Sequence, residues 1–119
     1  MIQEDYVSFE TAKLLKEKGF EGFTMFSYST KGTTMCGHWE NETDWLPKCT
    51  LQMAMKWLME MHKIYIDISP TYSEIEKTIH FIWQIFDSNY DFAGDCEIFY
   101  GNYETACEEA IKYCLEDLI

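Results

Sequence analysis

The stretch Pro47–Ile68, PKCTLQMAMKWLMEMHKIYIDI, decides how the chain folds. Thr50 can cap a helix, because its hydroxyl accepts a bond from a backbone N–H that has no intrahelical partner. Beyond it Leu51, Ala54, Met55, Leu58 and Met61 recur at helical spacing on one face, and Gln52, Lys56 and Glu60 fall opposite. Met53 and Trp57 are one turn apart and border the apolar stripe. After Lys63 the period changes to two: Ile64, Ile66 and Ile68 point one way, Tyr65 and Asp67 the other. A helix therefore feeds straight into a half-buried strand and packs back on the sheet that the strand joins. Pro70 is expected to limit that strand.

N-terminal to this unit, Ser8 caps a helix predicted over Phe9–Lys18, which Gly19 ends. Its inner stripe is Thr11, Ala12, Leu14 and Leu15. Phe23–Ser29 reads as a strand, Thr30-Lys31-Gly32 as a turn, and Thr33–Trp39 as the return strand. Asn41–Lys48 reads as irregular. C-terminal to the unit, Thr71–Lys77 is a connector, and Thr78–Phe86, TIHFIWQIF, is the strongest strand. Ile79, Phe81, Trp83 and Ile85 line one of its faces; His80, Ile82, Gln84 and Phe86 make the other, which is mixed. Two-sided apolarity marks an interior strand, or one whose second face meets a helix or a partner. Asp87–Asp95 reads as a turn-rich loop and Glu97–Tyr100 as a short strand. Asn102 caps a last helix from Tyr103 to about Leu118, with Tyr103, Ala106, Cys107, Ala110, Ile111, Cys114 and Leu118 in one continuous stripe. The whole reads as one α+β domain, residues 1–119: a mainly antiparallel sheet of four to five strands with three helices packed on one face.

Formal net charge is −12, and the cations are nine lysines with no arginine. That balance argues against direct binding of a nucleic-acid backbone, which needs clustered cations. No apolar run approaches the ~18 residues of a membrane span, and the N-terminal MIQEDYVSFE lacks the basic and apolar regions of a signal peptide. Five cysteines without such a signal point to reduced thiols and a cytoplasmic setting.

Three blocks carry a resemblance: Ser8–Phe20, SFETAKLLKEKGF; Leu51–Ile68, LQMAMKWLMEMHKIYIDI; and Tyr103–Ile119, YETACEEAIKYCLEDLI. In this order they resemble a family of small uncharacterised proteins of gut Bacteroides and related bacteria and of their phages and mobile elements. The chain departs from the family pattern at Met59, where a basic residue is common, and in its loops. The resemblance implies a phage or mobile-element origin and a cytoplasmic location. It implies no activity and no catalytic residues.

Cys36-Gly37-His38, with Cys49 and Cys96, is the sole combination that invites a metal. Zinc wants ligand pairs at short spacing, and lone cysteines do not supply them, so neither a metal nor a cofactor is expected. An enzyme would have to use His38 with Cys36, or His80, yet no nucleophile, phosphate-loop or metalloprotease motif accompanies them. Cys107 and Cys114 read as core. The more informative residues are Met53, Trp57, Trp39, Trp45 and Ile82, a set suited to a partner surface because Trp and Met are enriched at interfaces. The plainer alternative is that Trp57 widens the core face and Trp45 plugs the loop onto it. The expected function is non-enzymatic: an accessory protein that binds another protein, or itself, through the Trp57 border or an open sheet face. The runner-up is an acidic decoy that mimics nucleic acid toward a DNA-binding host protein.

Overall fold

The computed structural model describes residues 5–21, 24–36 and 45–119. Its order is α1 (Phe9–Glu17), β1 (Phe26–Tyr28), β2 (Thr34–Cys36), β3 (Leu46–Lys48), α2 (Leu51–His62), β4 (Tyr65–Ser73), β5 (Thr78–Phe86), β6 (Phe92–Asp95) and α3 (Tyr103–Tyr113), which runs on into a wider π turn, Cys114–Leu118. The architecture is α+β with three helices. The strands, however, form two antiparallel sheets of three, ordered β2-β1-β3 and β4-β5-β6, rather than one sheet of four or five. Two segments read as irregular account for the difference. Leu46–Lys48 pairs with β1, so β1 has neighbours on both edges and none left for the second sheet. Phe92–Asp95, read as loop, pairs with β5 instead. Both strands are short and carry Pro47 or Gly94, which hides them from a propensity reading.

The helix ends are built as the sequence dictates. Ser8 Oγ accepts from Thr11 N at 3.3 Å. The acid that would complete a capping box comes from α3: Glu108 Oε1 accepts from Ser8 N at 2.9 Å and from Thr11 Oγ1 at 2.6 Å. At the other end Gly19, at φ +90°, donates to Lys16 O and Phe20 N donates to Leu15 O, the two bonds of a Schellman cap. Thr50 Oγ1 accepts from Met53 N at 3.1 Å, and Lys63 closes α2 in the left-handed region at φ 57°.

Strand β4 runs through Pro70 to Ser73, against expectation. Pro70 pairs opposite Phe81, and β4 is an edge strand, where a missing N–H breaks no ladder. Ile66, Ile68, Trp83 and Ile85 face the helices. Helix α3 packs on β4 and β5, α2 on α3 and β4, and α1 on β3 and α3. Leu15, Leu58, Ile85, Ile111 and Leu115 are fully buried among Ala12, Ala54, Ala106, Ala110, Cys107 and Cys114. Met61, placed in the α2 stripe by its spacing, is 67% exposed: in the last turn of the helix it lines an open groove beside Trp57 and His62 instead of the core. Glu97–Tyr100 is not a strand: only Tyr100 pairs, opposite Phe81, with residues 97–99 bulging from the sheet edge.

Candidate interaction surfaces

Met53 and Trp57 come together, as their spacing predicts. They line a groove of about 730 Å3 with Lys18, Gly19, Phe20, Met61 and His62. The Trp57 ring meets Phe20 edge-on at 5.5 Å between centroids and His62 at 4.7 Å. It is therefore half-buried: one side packs on the α1 terminus, and the other faces the groove. Trp45 does not line this groove. It packs on α1, where Lys16 Nζ donates to Trp45 O at 2.6 Å and lies 5.4 Å above its ring. Trp39 and His38 lie outside the described residues.

Ile82 belongs to a different surface. Alternation along β5 turns Trp83 and Ile85 to the helices, and Ile82, Gln84 and Phe86 away from them. The register sets out this outer face in rows: Tyr65–Phe86–Phe92, then Asp67–Gln84–Asp95, then Ser69 beside Ile82, then Thr71 beside His80. Among the described residues no helix packs on it. Phe92 is 58% exposed and Tyr90 78%. The β5–β6 turn fixes these two rings. Asp87 Oδ1 accepts from Asn89 N and Asp91 N at 2.9 and 3.0 Å, and Tyr90 sits in the left-handed region at φ 62°. Tyr90 thereby stacks on Phe86, with centroids 4.7 Å apart and planes 6° from parallel. Phe92 meets Phe86 edge-on at 6.3 Å. Further along, the bulge folds Phe99 toward His80, 6.2 Å between rings, and a cleft of about 220 Å3 opens beside Ile82, Gln84, Asp95, Ile98 and Phe99.

Of this face the sequence alone points to Ile82 and not to Tyr65, Tyr90, Phe92, Ile98 and Phe99. The alternation that sends Tyr65 away from Ile64, Ile66 and Ile68 was the available signal. Without β6 the face could not be assembled.

The remaining candidates are dispersed. Cys36 is exposed on β2, Cys49 is buried, and Cys96 Sγ accepts from Trp83 N at 3.4 Å at the sheet edge. Among the described residues no group of three or more His, Cys, Asp or Glu is placed to hold a metal. His80 Nε2 lies 2.7 Å from Glu76 Oε2, a carboxylate on the exposed hairpin. Burial pushes the thiols of Cys49 and Cys114 up to about 12 and that of Cys107 up to about 11, so these remain protonated at neutral pH. Among the described residues no helix is long and apolar enough to cross a membrane. No protein-family model, curated protein or solved structure matches this chain.

Proposed function

We propose that the protein is a non-enzymatic accessory protein that binds another protein through the outer face of β4–β5–β6. One observation carries the reading: a sheet face with Tyr90, Phe92, Ile98 and Phe99 all more than half exposed, and Ile82 and Phe86 half-buried among them. Aromatic side chains gathered on one face mark interaction sites, whereas scattered apolar residues do not. The Met53–Trp57 groove offers a second apolar surface, on the helical side of the molecule. All five cysteines are free, which suits a reducing cytoplasm. The phage or mobile-element assignment rests on the resemblance of the three sequence blocks. The decoy alternative receives less support. Among the described residues, exposed acids are spread over α1 (Glu10, Glu17), the hairpin tip (Glu74, Glu76), the outer sheet face (Asp67, Asp95), the start of α3 (Glu104) and the π turn after it (Glu116), rather than gathered on one element.

The test is affinity capture from the native host with the parent and with Ile82→Lys, alongside solution mass by light scattering. A stoichiometric partner, or a second copy, held by the parent and lost in a folded Ile82→Lys protein supports the reading. A partner retained equally by both removes this face from the function. A monomer at tens of micromolar that captures nothing overturns the binding reading.

A further inference from the structure

We infer that the outer face of β4–β5–β6 takes a cationic, arginine-bearing peptide segment, whose guanidinium groups lie on Tyr90 and Phe92 with Asp67 and Asp95 as counter-charges. The inference rests on the protein-binding reading and narrows it to the chemistry of the partner.

Charge complementarity is the first argument. From Ile64 to Ile111 the sequence has one lysine, Lys77, amid many carboxylates. Lys77 is in the β4–β5 turn, at the opposite end of the hairpin from the Tyr65–Phe86 pair. Nine residue steps of strand lie between it and Phe86, about 30 Å at the usual rise per residue. The other lysine near the aromatic row in sequence is Lys63, and its ammonium donates to Glu60 O at 3.2 Å on α2. Asp67 and Asp95 flank Gln84 on neighbouring strands, with Asp91 in the adjoining turn.

Geometry is the second. Asp67 and Asp95 stand two strand spacings apart, about 10 Å, and the aromatic row lies one side-chain repeat away, about 7 Å. A cation within about 6 Å of a ring centroid is held by the ring's quadrupole. A guanidinium over the Tyr90–Phe86–Phe92 cluster therefore sits about 9 Å from each carboxylate position, inside the range over which unlike charges still attract at physiological salt. Its flat, weakly hydrated shape suits stacking better than a compact ammonium does.

The molecule already contains the same chemistry elsewhere, filled from within. Lys48 Nζ lies 5.3 Å from the ring centroids of Tyr6 and Tyr28 and 5.9 Å from that of Phe26. Those rings find their cation on β3, in their own chain. The outer-face rings stack on one another, and their side of the sheet supplies them no lysine. Nucleic-acid bases could also stack on exposed rings, but the carboxylates in the next row would repel the phosphates that accompany them.

The experiment is calorimetric titration of the full chain with short peptides alternating glycine with arginine, lysine or glutamate, and with a single-stranded oligonucleotide, at low and high salt. Variants are Tyr90→Asn, which keeps the left-handed turn, Phe92→Thr, and the pair Asp67→Asn with Asp95→Asn. Ile75→Ser at the hairpin tip is the control. The arginine peptide is expected to bind best, the lysine peptide more weakly and the glutamate peptide not at all. Each aromatic replacement is expected to weaken binding roughly two- to five-fold. The double asparagine variant should weaken it further and flatten the salt dependence. Affinity that survives both aromatic replacements, or tighter binding of the oligonucleotide than of the arginine peptide, overturns the inference. If no cationic peptide binds while host-protein capture still depends on Ile82, the partner chemistry is wrong and the protein-binding reading stands. If both fail, both fall.

Discussion

Replacing Gly94 by alanine should test how β6, and with it the outer face, is held to the rest of the fold. Gly94 is buried opposite Ile85, on the side of the sheet that meets α3. A Cβ added there would lie 2.7 Å from Tyr113 Cε1 and 2.9 Å from Tyr113 Cζ, well inside van der Waals contact. The ring cannot move freely, because Trp83 lies 5.1 Å from it on the same face. Overpacking of this kind costs about 1–3 kcal/mol. Alanine also reduces the freedom of the unfolded chain, which returns about 0.4–1 kcal/mol. The overpacking wins, and a net loss of about 1–2 kcal/mol is expected, on the order of 5 °C in Tm for a domain of this size. Urea denaturation followed by tryptophan fluorescence measures it. Tyr113→Leu removes the colliding ring edge, so Gly94→Ala should cost markedly less in that background, a coupling that a double-mutant cycle reads directly. If Gly94→Ala is neutral, or costs the same with and without the tyrosine ring, the packing of β6 under Tyr113 is not what fixes this strand.

Glu108→Ala should destabilise the fold by about 1.5–3 kcal/mol, since it leaves Ser8 N and Thr11 Oγ1 without their acceptor at the α1 terminus; a urea midpoint equal to the parent's would refute the shared cap. The buried thiols give a pH dependence: Cys49, Cys107 and Cys114 keep their protons in the folded state to about 11–12, whereas the unfolded thiols ionise near 9.0, so stability is full below pH 9 and falls as pH rises above it, on the order of 1 kcal/mol per thiol by pH 10. Flat stability between pH 8 and 10 would contradict this. In the native state a thiol reagent at neutral pH should modify exposed Cys36 far ahead of those three, as peptide mass mapping would show.

The periodic elements were legible because their pattern and their packing agree. Ser8, Thr50 and Asn102 cap α1, α2 and α3 as read, and β5 spans Thr78–Phe86 as read. What escaped was set by long-range pairing. Leu46–Lys48 and Phe92–Asp95 are only three and four residues long and owe their strand geometry to β1 and β5. Nothing local in LPK or FAGD demands it. Missing them merged two sheets into one and left the outer face incomplete. The Met53–Trp57 pairing was legible, being an i, i+4 relation within one helix, while the distance between Trp57 and Ile82 was not.

The division of labour among side chains bears on function more than any single contact. The helices meet through small residues: Ala12, Ala54, Ala106, Ala110, Cys107 and Cys114 have no exposed surface. Close helix packing therefore needs few aromatic rings, although aromatics make up 17% of the chain. Trp83 and Phe20 are buried in the core, while several other rings lie on the sheet surfaces. Some are satisfied there, as Tyr28 is by donating from its hydroxyl to Val7 O at 2.7 Å and by lying beneath Lys48. Tyr90, Phe92 and Phe99 have no comparable role in the core, and exposing them works against solubility. Stability thus accounts for where the alanines and cysteines lie but not for these three rings. A surface that the fold does not require, kept beside carboxylates, is what a binding site for a cationic partner would leave in a free protein.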